Sequence, residues 1–172
     1  MTHLYVSTIR QMTKQLSVLD AWLEKGQAHA EAIGADAELL LQARLVFDQH
    51  PLIRQVQASC DAAKFTAART AGKDAPADPD DETTIEQARA RIAKTVAYLE
   101  GFEDSDFEGA GDRVLTLSFL PEDKRLGAEG YLVQMAQPNF YFHMTTAYSI
   151  LRQQGVQLGK RDFIGSLPLV DA

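Results

Sequence analysis

The chain has 172 residues, 45% hydrophobic and 24% charged, a length that buries about two-thirds of an unfolded surface in one domain and a composition that excludes wholesale disorder. Its net charge of −7 opposes a general nucleic-acid surface, which needs clustered Lys and Arg to displace counterions. The single cysteine, Cys60, excludes an internal disulfide framework and a four-cysteine zinc site, and suits a reducing compartment.

The opening MTHLYVSTIRQMTKQL is not a basic leader followed by an apolar run. No apolar stretch approaches the roughly 20 residues that span a bilayer. A cytoplasmic protein without a membrane or nucleic-acid partner is expected, as a single domain over 1–172.

Taken in order, Tyr5, Ile9, Met12, Leu16, Leu19 and Leu23 recur at steps of three and four, which predicts a helix with one apolar stripe over 4–25. Gly26 weakens the pattern and Gly34 reads as its stop. A short connecting helix is predicted around Glu38 to Val46, with Leu39, Leu40, Ala43 and Val46 on one face. Asp48 is a candidate cap and Pro51 suits a first turn. Residues 51–71 then form a glycine-free helix whose inner face carries Ile53, Val56, Cys60, Ala63 and Ala67. Gln57, Asp61 and Lys64 border that face.

GKDAPADPDD, with two prolines and four aspartates, reads as a solvated loop. Thr83-x-x-Glu86 is a capping-box pattern, and Ile85, Ala88, Ile92, Val96 and Leu99 supply the next stripe up to Gly101. Leu115, Leu117 and Phe119 alternate with Thr116 and Ser118, which predicts a strand, and PEDK at 121–124 a turn. A small hairpin therefore precedes the last helix, which starts between Gly127 and Glu129 and runs to Gln154, with Gly155 as its stop and a kink at Pro138. The remaining VQLGKRDFIGSLPLV is expected to pack back onto the bundle, anchored by Phe163 and Ile164. It lacks the spacing of a phosphate loop.

The last helix is the most informative stretch. Asn139 and His143 lie four residues apart on one face, which continues through Thr146. Phe140, Tyr141 and Phe142 cover more than half a helix circumference, so some face the core and another face could meet a second subunit. The sequence predicts an all-α assembly of four amphipathic helices around one core.

The PNFYFHMTTAYSILRQQGVQLGKRDFIG block, QVQASCDAAKFTAART and ETTIEQARARIAKTVAYLE resemble an uncharacterised bacterial domain-of-unknown-function family of the DinB/YfiT-like superfamily. The resemblance covers nearly the whole chain. It implies a DinB/YfiT-like four-helix bundle, often a homodimer. It also implies a divalent metal held by three histidines, two as HxxxH on a late helix and one on the second helix, serving thiol transfer or hydrolase-like chemistry. This chain departs from that pattern. It has Asn139-x-x-x-His143 on the late helix and no histidine between Leu52 and Gly72, with His50 just ahead.

Three readings follow. The preferred one is a small-molecule-binding protein with no cofactor, in which His143 is the candidate base, Asn139 orients it, and Thr146, Gln57 and Asp61 complete a bundle pocket. The alternative is a metal-dependent transferase or hydrolase with Zn, Ni or Mn on His143, His50 and Asp61, although an amide such as Asn139 is a poor added donor. The third is a structural dimeric bundle without catalysis. Cys60 lies among apolar positions with no cation beside it in sequence, which predicts an inert thiol. Asp61 and Lys64, three residues apart, are expected to form a surface ion pair.

Overall fold

The computed structural model describes residues 2–170, so Met1, Asp171 and Ala172 of the expected 1–172 domain lie outside the described residues. The chain runs α1 (Thr2–Ala32), α2 (Leu39–Gln42), α3 (Leu52–Ala71) and α4 (Ile85–Glu100), then β1 (Val114–Leu115) and β2 (Leu126–Gly127). It ends in α5 (Ala128–Tyr131), α6 (Gln137–Gln153) and α7 (Lys160–Ile164). Four long helices form the bundle, in the cyclic order α1, α4, α3, α6.

The α1 stripe of Tyr5, Ile9, Met12, Leu16, Leu19 and Leu23 is fully buried. Gly26 does not weaken the helix, which continues to Ala32. A Cβ there would stand 3.2 Å from Leu40 and 3.3 Å from Leu151, so the glycine lets α2 and α6 approach closely. Gly34, at φ +70°, follows the helix end as expected.

The connecting helix is a single turn. Ala43 leaves it in an extended conformation, so helical periodicity does not reach Val46; Leu40 and Leu41 are buried while Leu39 and Val46 are exposed. Pro51, not Asp48, occupies the cap position of α3, with no side-chain capping bond. The inner face of α3 is as predicted: Val56, Cys60, Ala63 and Ala67 are completely buried. Gly72 closes α3 at φ +70°.

The predicted capping box is displaced by one residue. Thr84 caps α4 and pairs reciprocally with Gln87; Thr83-x-x-Glu86 has the same spacing but sits one position too early for a helix that begins at Ile85. The hairpin is antiparallel and short, with Val114 opposite Gly127 and Leu115 opposite Leu126. Leu117 and Phe119 fall outside it: Leu117 turns into the core while Phe119 stays exposed. The PEDK turn closes through the Lys124 N–H donating to Pro121.

Pro138 disturbs the helix upstream of itself. Leu132–Ala136 forms one π-helical turn between α5 and α6, a recognised way to accommodate a proline's missing donor. Phe140 is buried and Phe142 exposed. The tail forms α7, whose Phe163 ring lies 5.4 Å from Trp22 and 5.8 Å from Tyr148. Trp22 Nε1 donates to the Asp162 carbonyl, and Ile164 contributes less, being partly exposed.

Candidate functional site

Two hydrogen bonds define how α3 faces α5 and α6. Arg69, near the end of α3, donates to the Tyr131 hydroxyl at 3.0 Å. Near the start of α3, the His143 imidazole lies 2.8 Å from Gln55 Oε1. The residue numbers rise on one side as they fall on the other, so the two stretches run antiparallel. The seam between them carries an open cleft of about 230 Å³, lined by Arg54, Asp61, Phe65, Arg69, Tyr131 and Asn139 among others.

The α3 side of this cleft is a stripe at helical spacing, Arg54, Ala58, Asp61, Phe65 and Arg69. Arg69 rests on two aromatic faces, its guanidinium carbon 4.8 Å from the Phe65 ring centre and 5.5 Å from that of Tyr131. Phe119, from the hairpin connection, and Met135, from the π turn, add apolar wall.

On the opposite flank of α3, the Asp61–Lys64 pair was expected at the surface and is covered instead. Lys64 and Arg91 are 2% and 4% exposed, and the segment 74–84 lies across them as an acidic strap. Lys64 Nζ meets Asp78 at 2.6 Å and Asp61 at 2.9 Å. Arg91 meets Asp61 and Glu82, each at 2.9 Å, and Asp80 at 3.3 Å. Lys94 adds a 2.6 Å contact to Asp78. Burial raises the Asp78 carboxyl, but bonds from Lys64 and Lys94 and the field of Arg91 outweigh it, holding the group at about 2. The Asp61–Lys64 pair is thus one edge of a buried network and not a surface pair. Loop composition alone could not show this, because the buried cations come from α3 and α4.

Among the predicted pocket residues, the cleft gathers Asn139 and Asp61. Gln57 is buried in the strap network, donating to Glu82 at 2.8 Å and accepting from Arg54 at 3.3 Å. Thr146 is buried with its hydroxyl donating to the Phe142 carbonyl. His143 is half-buried, and its partner is Gln55, not Asp61 or Gln57. The Gln55 amide nitrogen donates to the His50 carbonyl at 2.9 Å, which leaves Oε1 to accept from His143 Nδ1–H. The free lone pair is then on Nε2. Burial, followed by the nearby Arg54 and His50, holds the His143 pKa below the ordinary histidine value.

The metal set His143, His50 and Asp61 is not assembled. Among the described residues no group of three or more His, Cys, Asp or Glu side chains could hold a metal ion. Asp61 Oδ1 is instead committed to Lys64 and Arg91, so the residues present do not fit the superfamily's metal. Cys60 is buried, and burial pushes its thiol up to about 12, which makes it inert at neutral pH.

Sequence reasoning missed Gln55, Arg54, Phe65, Arg69 and Tyr131. The repeating step along α3 was legible as a second stripe beside the apolar one. Its meaning depended on Tyr131 standing opposite, which no local pattern signals.

Four long helices, with a two-stranded hairpin before the last of them, define a DinB-like helical bundle. The chain matches the profile of the family described as domain of unknown function DUF1993 over residues 4–164, and it belongs to that family. It is also similar to the crystal structure of a DinB family member protein from Shewanella denitrificans, at 42% identity and a TM-score of 0.94, over 98% of this chain and 96% of that one. No curated protein matches it. Among the described residues no helix is long and apolar enough to cross a membrane.

Proposed function

We propose that this protein binds a small organic anion in the cleft between α3 and α5–α6. The observation that carries the reading is Arg69. It sits on Phe65 and Tyr131, uses one of its five N–H donors on the tyrosine hydroxyl, and joins no ion pair among the described residues. A guanidinium held over two aromatic rings is pre-organised, and its remaining donors match a carboxylate or phosphate in two-point geometry. Tyr131 accepts from Arg69, so its own O–H is available to donate. The volume of about 230 Å³ is below that of most drug-sized sites, which favours a slim ligand. Phe119 and Met135 suit an apolar body.

Titration calorimetry with octanoate and benzoate tests this. Binding that weakens at least tenfold in Arg69→Gln, with an unchanged melting temperature, is the expected result. Equal affinities in the two proteins would sink the reading.

A second reading is favoured by the Gln55–His143 bond. His143 is held neutral with Nε2 open, one helical turn beyond Asn139, as a metal-free general base for a ligand reaching that end of the cleft. Its test is turnover of an ester or amide probe that follows the His143 titration and disappears in His143→Gln. The homodimer rests on the resemblance and on the exposed Phe142 and Val133. A solution mass of one chain in light scattering would refute it.

A further inference from the structure

Arg54 lines the same cleft as Arg69, fifteen residues earlier on α3, so their Cα atoms stand about 22 Å apart along the helix axis, with the guanidiniums nearer because Arg69 leans back over Phe65 and Arg54 forward onto Gln57. The two arginines lie toward opposite ends, with Asp61, Phe65 and Asn139 between them. They differ in their partners. Among the described residues Arg69 has no carboxylate partner, whereas Arg54 carries one from its own chain, the side chain of Asp80 in the strap.

Asp80 is unlike its neighbours. Asp78 and Glu82, on either side, are 5% and 11% exposed and are tied to cations that are 3% exposed. Breaking such buried pairs leaves an uncompensated charge and is strongly destabilising. Asp80 and Arg54 are 38% and 39% exposed, the regime in which an ion pair contributes little. The strap is therefore pinned through Asp78 and Glu82, and Asp80 between them keeps Oδ1 on Arg91 at 3.3 Å while its Oδ2 rests on the cleft arginine.

We propose that Arg54 is a second anion ligand of the cleft, parked on Asp80, and that Asp80 occupies in cis the place of a second carboxylate. The inference rests on the cleft reading above and narrows its ligand class. The preferred ligand is slim and two-headed, with an anionic group at each end and an apolar middle. Its first anion meets Arg69, and its second takes Arg54 from Asp80 Oδ2 while Asp80 Oδ1 stays on Arg91 and Asp78 and Glu82 stay anchored. Asp80 then sets specificity, because a one-headed anion gains nothing from displacing it.

The test compares adipate, suberate and sebacate with octanoate by titration calorimetry, on wild type, Asp80→Asn, Arg54→Gln and Arg69→Gln, each checked by its melting curve. Removing the internal competitor in Asp80→Asn should tighten the best-fitting dicarboxylate by about fivefold, the equivalent of an exposed ion pair, and leave octanoate unchanged. Arg54→Gln should reduce that dicarboxylate to the octanoate level, and Arg69→Gln should lose both. Octanoate bound through Arg69, with dicarboxylates indifferent to Asp80→Asn and Arg54→Gln, overturns the parked-arginine inference alone. Equal tightening of octanoate and dicarboxylate in Asp80→Asn also overturns it, since that is a general charge effect. Failure of every probe on wild type overturns the cleft reading itself.

Discussion

The two flanks of α3 hold cations in opposite conditions. Toward α4, Lys64 and Arg91 are buried and surrounded by Asp61, Asp78, Asp80 and Glu82. Toward α5 and α6, Arg69 is reachable from solvent and supported by aromatic rings, and among the described residues it joins no ion pair. A saturated buried cation belongs to the fold, since removing one partner strands the others. An unsaturated cation in a cleft is available to a ligand. The comparison separates scaffold from site around one helix, by partners and not by residue type.

The comparison is broken most severely by mutating the saturated side. Arg91→Leu should destabilise the protein by about 3–5 kcal/mol, because Asp61 and Glu82 lose their shared partner in a buried setting. A urea-unfolding difference below about 1 kcal/mol would mean the network is looser than its geometry. Arg69→Gln should change unfolding by less than about 1 kcal/mol, while anion affinity falls at least tenfold. A stability loss as large as that of Arg91→Leu would place Arg69 in the scaffold.

Acid sharpens the contrast. The Asp78 carboxyl is held at about 2, below the ordinary aspartate value of 3.8. Its stabilising contribution is complete above pH 4 and is lost as the pH falls from about 4 toward about 2. Wild type should lose stability across that window more steeply than Asp78→Asn, in parallel melting series. Identical slopes would remove Asp78 from the account.

The smallest expected effect concerns His143. Its folded pKa lies below the unfolded value of 6.5, so its stabilising contribution is present above pH 6.5 and declines as the pH falls through the folded pKa. The stability gap between wild type and His143→Gln should therefore narrow on moving from pH 8 to pH 5. A constant gap would show that His143 is protonated equally in both states.

Much of the fold was legible because its causes are local. The steps of three and four in α1, α3 and α4 each mark one buried stripe, and the hairpin, the PEDK turn and the disturbance before Pro138 follow from backbone chemistry of the residues involved. The misplaced signals were those with a near-equal neighbour. Thr83 and Thr84 each precede an acceptor by three residues, and only the helix start at Ile85 decides between them. Leu39 and Val46 fitted a helical face that ends at Ala43.

The site was legible only in fragments. The sequence alone determined that His143 and Asn139 share a helix face, that Cys60 packs as an inert group and that the superfamily's three histidines are incomplete. It could not say that Gln55 is the partner of His143, that Tyr131 supports Arg69, or that an acidic loop is drawn over Lys64 and Arg91. Each of these pairs joins residues on different elements, from 9 residues apart for Glu82 and Arg91 to 88 for Gln55 and His143. Helical periodicity tells each element which face to bury. Which polar groups then meet across a seam is set by the packing of whole helices, and that only the tertiary structure decides.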